Sequence, residues 1–167
     1  MAVISATPLM DINALIASDD VNEGDVLLLE NGIYFQTVNI NKSNIRIAAK
    51  GPGVIFDGKG ILLTAFTLSN VVGVAIDGIK IRHYRDDSIV IQSGSGNRIV
   101  NNIFNNMLSD AIVLIGSSGN LIWKNEIYNC SDGIKLSSGS VNNWVIEKTV
   151  KNGFVDAFET STSSDSN

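Results

Sequence analysis

A chain of 167 residues, 44% of them hydrophobic, can build one domain with a real core and is too short to expect two. Its formal charge of -5, from 12 Lys and Arg against 17 Asp and Glu, argues against a general nucleic-acid binder, so a polyanionic ligand would have to meet a local basic patch. The single Cys130 rules out an intrachain disulfide, and no apolar run reaches the roughly 18 residues of a membrane span.

The opening "MAVISATPLMDINALIASDD" has neither the basic start nor the apolar stretch of a secretory leader, and the chain reads as soluble. Within it, "PLMDINALIASDD" sets Leu9, Ile12, Leu15 and Ile16 on one helical stripe. The stripe predicts a short amphipathic helix at about residues 8–20 that covers the open first layer of the domain. Next comes "VLLLENGIYFQTVNINKSNIRIAAKGPGVIFDGKG", residues 26–60, where short Ile- and Val-rich runs alternate with turns and Asp57-Gly58 anticipates Asp77-Gly78.

From Phe66 onward the pattern is regular. The apolar starts Phe66, Ile89, Ile112, Ile134 and Phe158 lie 23, 23, 22 and 24 residues apart, which is the spacing of a solenoid. Each period holds three short runs, such as "IVIQ", "RIV" and "IF", that fit strands of three to five residues and leave no room for a helix. Stacking the copies at the roughly 4.8 Å spacing of paired strands gives parallel sheets with a shared Ile and Val core. In the corners, Gly94, Gly96, Gly116, Gly119, Gly133 and Gly139 are expected to supply positive φ, and Asn97, Asn120 and Asn143 to tolerate the left-handed region. Asn102 and Asn125 recur at matching places and predict a hydrogen-bonded ladder up the stack.

The domain is placed at residues 1–157, with 158–167 as a polar tail ending in "ETSTSSDSN". At the last coil, either Phe154 and Phe158 fold over the end, or chains meet there, or further coils continue the stack. Self-association through that coil, or truncation of a longer chain, is the expectation.

These features resemble the right-handed parallel β-helix proteins of the pectate-lyase-like superfamily. The resemblance spans roughly residues 20–160, in "EGDVLLLENGIYFQTVNINKSNIRI" and in the "SGN-x-I-x-x-N" and "SDGI" repeats. It implies an all-β fold, a right-handed single-stranded parallel β-helix with a short N-terminal capping helix, and an extracellular or cell-surface location. It implies no single activity, because the superfamily holds lyases, hydrolases, epimerases and phage tailspikes.

The densest polar cluster is "KIRHYRDDS", residues 80–88. With Ile79 and Ile81 inward, Lys80 and Arg82 point outward about 7 Å apart, and His83, Arg85, Asp86 and Asp87 come next in the corner. The resemblance implies an acidic polysaccharide across the outer face, where a lyase needs positive charge against the uronate carboxylate and a base for the adjacent proton. Lys80, Arg82, His83 and Arg85 are the catalytic candidates on that reading, with Asp86 and Asp87 as oxygen ligands for calcium. The competing reading makes the cluster a solvated face that keeps the solenoid from pairing sideways.

Three further patterns stand out. Asp87, Asp110, Asp132 and Asp156 recur just ahead of strand starts and are expected to cap corner amides. "NCSDGIKL" is similar to the Asn-Thr-Asp-Gly signature of polygalacturonase-type hydrolases, but no paired Asp-Asp, Gly-His or Arg-x-Lys element comes after it. Trp123 and Trp144 fall in equivalent strands of consecutive coils as substrate-binding candidates. Either both indoles face out as a platform for sugar rings, or "KNGFVDAFET" folds over them.

The function expected is that of a carbohydrate-associated β-helix that binds or processes an acidic polysaccharide, with polyuronate β-elimination as the lyase-like activity. The alternative is a non-catalytic structural or adhesive element, of the phage-fibre or cell-surface kind, that assembles through its open C-terminal end.

Overall fold

The computed structural model describes residues 1–152 and 156–160. The chain opens with a strand, β1 (Val3–Ala6), and a helix, α1 (Ile12–Ala17). Coils of three strands come after them. The first is β2 (Val26–Leu29), β3 (Gly32–Tyr34) and β4 (Val38–Ile40), and the second is β5 (Arg46–Ala49), β6 (Val54–Asp57) and β7 (Phe66–Ser69). The third is β8 (Ala75–Asp77), β9 (Lys80–Arg82) and β10 (Ile89–Gln92), and the fourth is β11 (Arg98–Val100), β12 (Ile103–Asn105) and β13 (Ile112–Ile115). The fifth is β14 (Leu121–Trp123), β15 (Glu126–Tyr128) and β16 (Ile134–Ser137), and the sixth is β17 (Trp144–Ile146), β18 (Thr149–Lys151) and β19 (Phe158–Thr160).

Each strand pairs in parallel with its counterpart one coil away, which makes three sheets. The first runs β1-β2-β5-β8-β11-β14-β17, the second β3-β6-β9-β12-β15-β18, and the third β4-β7-β10-β13-β16-β19. In the third sheet Phe66, Ile89, Ile112, Ile134 and Phe158 stand directly over one another, so the expected period is the register itself. Because side chains alternate along a strand, this register aims Ile76, Ile99 and Ile122 into the same core from the first sheet, and all three are fully buried. Each such burial stabilises by about 1.5–3 kcal/mol. Toward the first coils the core is aromatic: Tyr34 stacks on Phe56 at 4.9 Å, and Phe56 meets Phe66 at 4.7 Å.

The N-terminal lid is shorter than the expected 8–20. Asp11 caps α1 by accepting the Ala14 N–H at 3.1 Å, Ile12 and Ile16 are buried, and Leu9 lies outside the helix at 98% exposure. An element absent from the sequence reading is β1, whose four residues extend the first sheet beyond the first coil in register with Val26–Leu29. Asp57 and Asp77 are not equivalent: the first ends a strand of the second sheet and the second ends a strand of the first.

The corners also differ in part from expectation. Gly96, Gly116, Gly119 and Gly139 have positive φ, whereas Gly94 and Gly133 do not. Those two are glycine because the neighbouring coil leaves no space: a Cβ on Gly94 would lie 2.8 Å from the Val71 carbonyl oxygen, and one on Gly133 would collide with that of Ala157. Asn97, Asn120 and Asn143 do not take up the left-handed conformation either. They are buried and form a ladder, in which the Asn97 N–H donates to Asn120 Oδ1 at 2.9 Å and the Asn120 N–H to Asn143 Oδ1 at 3.0 Å. Asn102 and Asn125 form the second ladder, as expected. The first three residues of the expected tail are strand β19, and Phe154 lies outside the described residues.

Candidate functional site

The second sheet ends β6 on Asp57 and β9 on Arg82, and the two are paired residues. Since their strand neighbours Phe56 and Ile81 are buried, both polar side chains point away from the core. Asp57 is nonetheless almost fully covered, by the donors it collects. Its Oδ2 accepts Arg82 Nε–H at 2.9 Å, and its Oδ1 accepts the Lys59 backbone N–H at 2.9 Å and lies 3.0 Å from His83 Nδ1. Burial opposes ionisation of this carboxyl, but the bonds from Lys59, His83 and Arg82 prevail and hold it below the usual carboxylate range.

An ionised carboxylate only accepts, so Asp57 selects the imidazole tautomer with its proton on Nδ1 and leaves a lone pair on Nε2. His83 reaches this place with φ at 57°, in a corner that the next three coils fill with left-handed Asn106, Asn129 and Asn152. Beside it opens a cavity of about 390 Å³ lined by Asp57, Lys59, Gly60, His83, Asn106 and Leu108. One wall comes from the eight-residue corner between β6 and β7, residues 58–65. Lys59 Nζ stands 4.9 Å above the Phe35 ring.

The expected site residues divide around this centre. Arg82 and His83 meet at Asp57. Lys80 projects outward two residues earlier, half-buried between Ile55 and Ile103 on the neighbouring strands. Arg85 and Asp86 are exposed, with their backbone N–H groups tied to the Leu62 and Leu63 carbonyls. Asp87 Oδ1 accepts the Ser109 hydroxyl at 2.7 Å and the Asp110 N–H at 3.1 Å. Among the described residues no group of three or more His, Cys, Asp or Glu could hold a metal ion.

The carboxylate row climbs the same edge. Asp110 Oδ1 accepts the Asp132 N–H at 3.1 Å and Asp132 Oδ1 accepts the Asp156 N–H at 2.9 Å, so these residues cap corner amides as expected. Burial first, and the charge of Asp87 second, push the Asp110 carboxyl up to about 6. On the first sheet, Ile122 and Val145 face the core and both indoles face out. They do not stack in register: Trp144 sits opposite Leu121 and Trp123 opposite Ile146. Trp144 is 66% exposed, so its ring is open to water, and Lys124 Nζ lies 4.5 Å over Trp123.

Residues 29–167 match the family model described as "Right handed beta helix region". The chain belongs to the right-handed β-helix family. This β-helix resembles an alginate lyase from Paenibacillus sp. str. FPU-7 at 15% identity and a TM-score of 0.72, over 94% of this chain and 66% of that one. It also resembles the pectate lyase Pel9A at 17% identity and a TM-score of 0.56, over 86% of this chain and 54% of that one. A candidate glycosyl hydrolase from Parabacteroides merdae ATCC 43184 aligns at 12% identity and a TM-score of 0.57, over 97% and 92% of the two chains. The chain therefore spans less than two thirds of each lyase's length, and at these identities the likeness establishes the fold. Among curated proteins no sequence matches it.

In this β-helix, two residues of the central cluster escaped the sequence reading: Asp57 and Lys59. A signal for the place was nevertheless present. His83, Asn106, Asn129 and Asn152 recur every 23 residues, so one histidine interrupts a column of asparagines.

Proposed function

We propose that this β-helix binds an acidic polysaccharide along the outer face of its second sheet and cleaves it by β-elimination beside His83. What carries the reading is the Asp57–His83 contact at the mouth of a cavity that also holds Lys59. In that reading His83 Nε2 removes the proton next to the uronate carboxyl group. The electron pair forms the C4–C5 double bond as the C4–O bond breaks, and the imidazolium returns the proton to the departing glycosidic oxygen. Lys59 and Arg82 meet the uronate carboxylate, whose negative charge grows as the proton leaves. Lys80 and Arg85 hold neighbouring acidic sugars. Asp57 is a positioning residue, since it acts through the ring it orients.

The relatives named as alginate and pectate lyases lend support to a polysaccharide substrate through the shared fold. Calcium, which the family resemblance implies, would be held by Asp86 and Asp87 as oxygen ligands and would add positive charge against the uronate carboxylate.

The test is incubation with polygalacturonate and with alginate, with and without calcium, while the ultraviolet absorbance of the unsaturated product is monitored. The wild type is expected to generate the signal and His83→Ala to lose it by at least ~100-fold, the range assigned to general-base catalysis. An absence of both product and binding on these polymers would overturn the reading. Activity that appears only with calcium and survives His83→Ala would move the chemistry to Asp86 and Asp87.

A further inference from the structure

The outer face of the first sheet changes character along the solenoid. In the second to fourth coils its two rows carry Arg46, Ala75 and Arg98, and Ala48, Asp77 and Val100, with Arg46 and Asp77 ion-paired. In the fifth and sixth coils the same two rows carry Leu121, Trp123, Trp144 and Ile146 as adjacent residues. A parallel sheet usually has both faces covered, and a contiguous apolar patch on an exposed one marks a binding surface. Trp144 and Ile146 are 66% and 40% exposed.

The corner next to this patch is polar. A cavity of about 330 Å³ there is lined by Asn101, Lys124, Glu126, Glu147 and Thr149, among others. Lys124 and Glu147 are 3.6 Å apart and half-exposed, a contact weak enough to exchange for a ligand. The two indoles are offset by two residues on neighbouring strands, about 8 Å apart along the diagonal.

We propose that this face, with its corner cavity, is a second carbohydrate-binding surface, distinct from the His83 centre, and that it takes an uncharged pyranose chain. An indole offers a flat apolar face to the C–H side of a sugar ring. Glu126, Glu147 and Asn101 accept or exchange hydrogen bonds with ring hydroxyls, and bonds to a carboxylate are the stronger kind. Around the cavity two carboxylates stand against one ammonium, which favours hydroxyl donors over uronates there, while the neighbouring guanidinium of Arg98 lies a coil away beside Leu121. The surface would hold the neutral part of a mixed polymer while the acidic part lies on the second sheet.

Trp123 and Trp144 are the two tryptophans of the chain, so its intrinsic fluorescence reports on this face. The full chain is titrated with cello-, manno-, xylo- and galacto-hexasaccharides, and with polygalacturonate as the charged control. At least one neutral series is expected to give a saturable blue shift, weakened at least tenfold by Trp144→Ala or by Glu126→Ala and unchanged in His83→Ala. That last variant separates this proposal from the lyase reading, since either can fail alone. The proposal is overturned if no neutral series shifts the emission or if only polygalacturonate does. It is equally overturned if the emission changes with protein concentration alone while light scattering reports a larger mass, because the face would then be a contact between copies of the chain.

Discussion

At the scale of single residues, the same carboxylate chemistry serves two ends. Asp57 stays ionised because three donors reach it, whereas Asp110 is buried beside Asp87 and resists ionisation. The Asp110 carboxyl, at about 6 in the folded chain, lies above the roughly 3.9 of an unfolded aspartate. A group raised in this way contributes stability that is complete below about pH 4 and is lost as the pH rises through about 6. Asp110→Asn keeps an Oδ1 acceptor for the Asp132 N–H and removes the charge. The variant is therefore expected to melt a few degrees above wild type at pH 7, with the gap closing toward pH 4. Thermal melts across that range check it, and a gap that stays constant with pH would show that the charge of Asp110 is not the cause.

At the scale of the elements, the strands are short and the ladders between coils fix their register. Asn125 is the sharpest case: its Oδ1 accepts from the Asn102 N–H and side-chain amide, and its own amide donates to the Ile99 carbonyl at 2.7 Å, all in the buried interior. Asn125→Ala leaves the buried Asn102 N–H unpaired, at about 1–3 kcal/mol, and takes one bond each from the Ile99 carbonyl and from the Asn102 amide, which keeps the Ile76 carbonyl, so a total loss above ~2 kcal/mol is expected in urea unfolding. Asn129→Gly, which suits the left-handed backbone at that position and removes an amide that reaches Asn105 and Asn106 nearer the surface, is expected to cost under ~1.5 kcal/mol. Equal costs would mean that the buried ladder does not hold the coils in register.

The strands and the Asn102–Asn125 ladder were legible because aliphatic starts and amides repeat with the period of the coil. Asn97, Asn120 and Asn143 were not, because an asparagine in a turn has two uses, left-handed backbone or ladder rung. Sequence alone does not distinguish them, because both kinds fall in the short turns between strands. β1 was not legible either, since "VISA" gains strand character only from the partner that a folded β2 provides.

At the scale of the whole molecule, each coil contacts its neighbours and the site belongs to none of them singly. Asp57 lies 26 residues before His83, and the parallel coil brings them to 3.0 Å. That pairing was hidden because the second coil carries an eight-residue corner that breaks the period, which left Asp57 matched with Asp77 instead. The cationic cluster at residues 80–88 was legible as a cluster, but it divides in the fold, because Arg85 and Asp86 lie exposed farther along the corner while His83 and Arg82 converge on Asp57. The chain has one histidine, so nitrogen-15 spectra of its imidazole read this arrangement directly. At a pH where the ring is neutral, the wild type should show the Nδ1–H tautomer, and Asp57→Asn should shift the ring toward the Nε2–H form that free imidazole side chains favour. An Nε2–H tautomer in the wild type, unchanged by Asp57→Asn, would contradict the account.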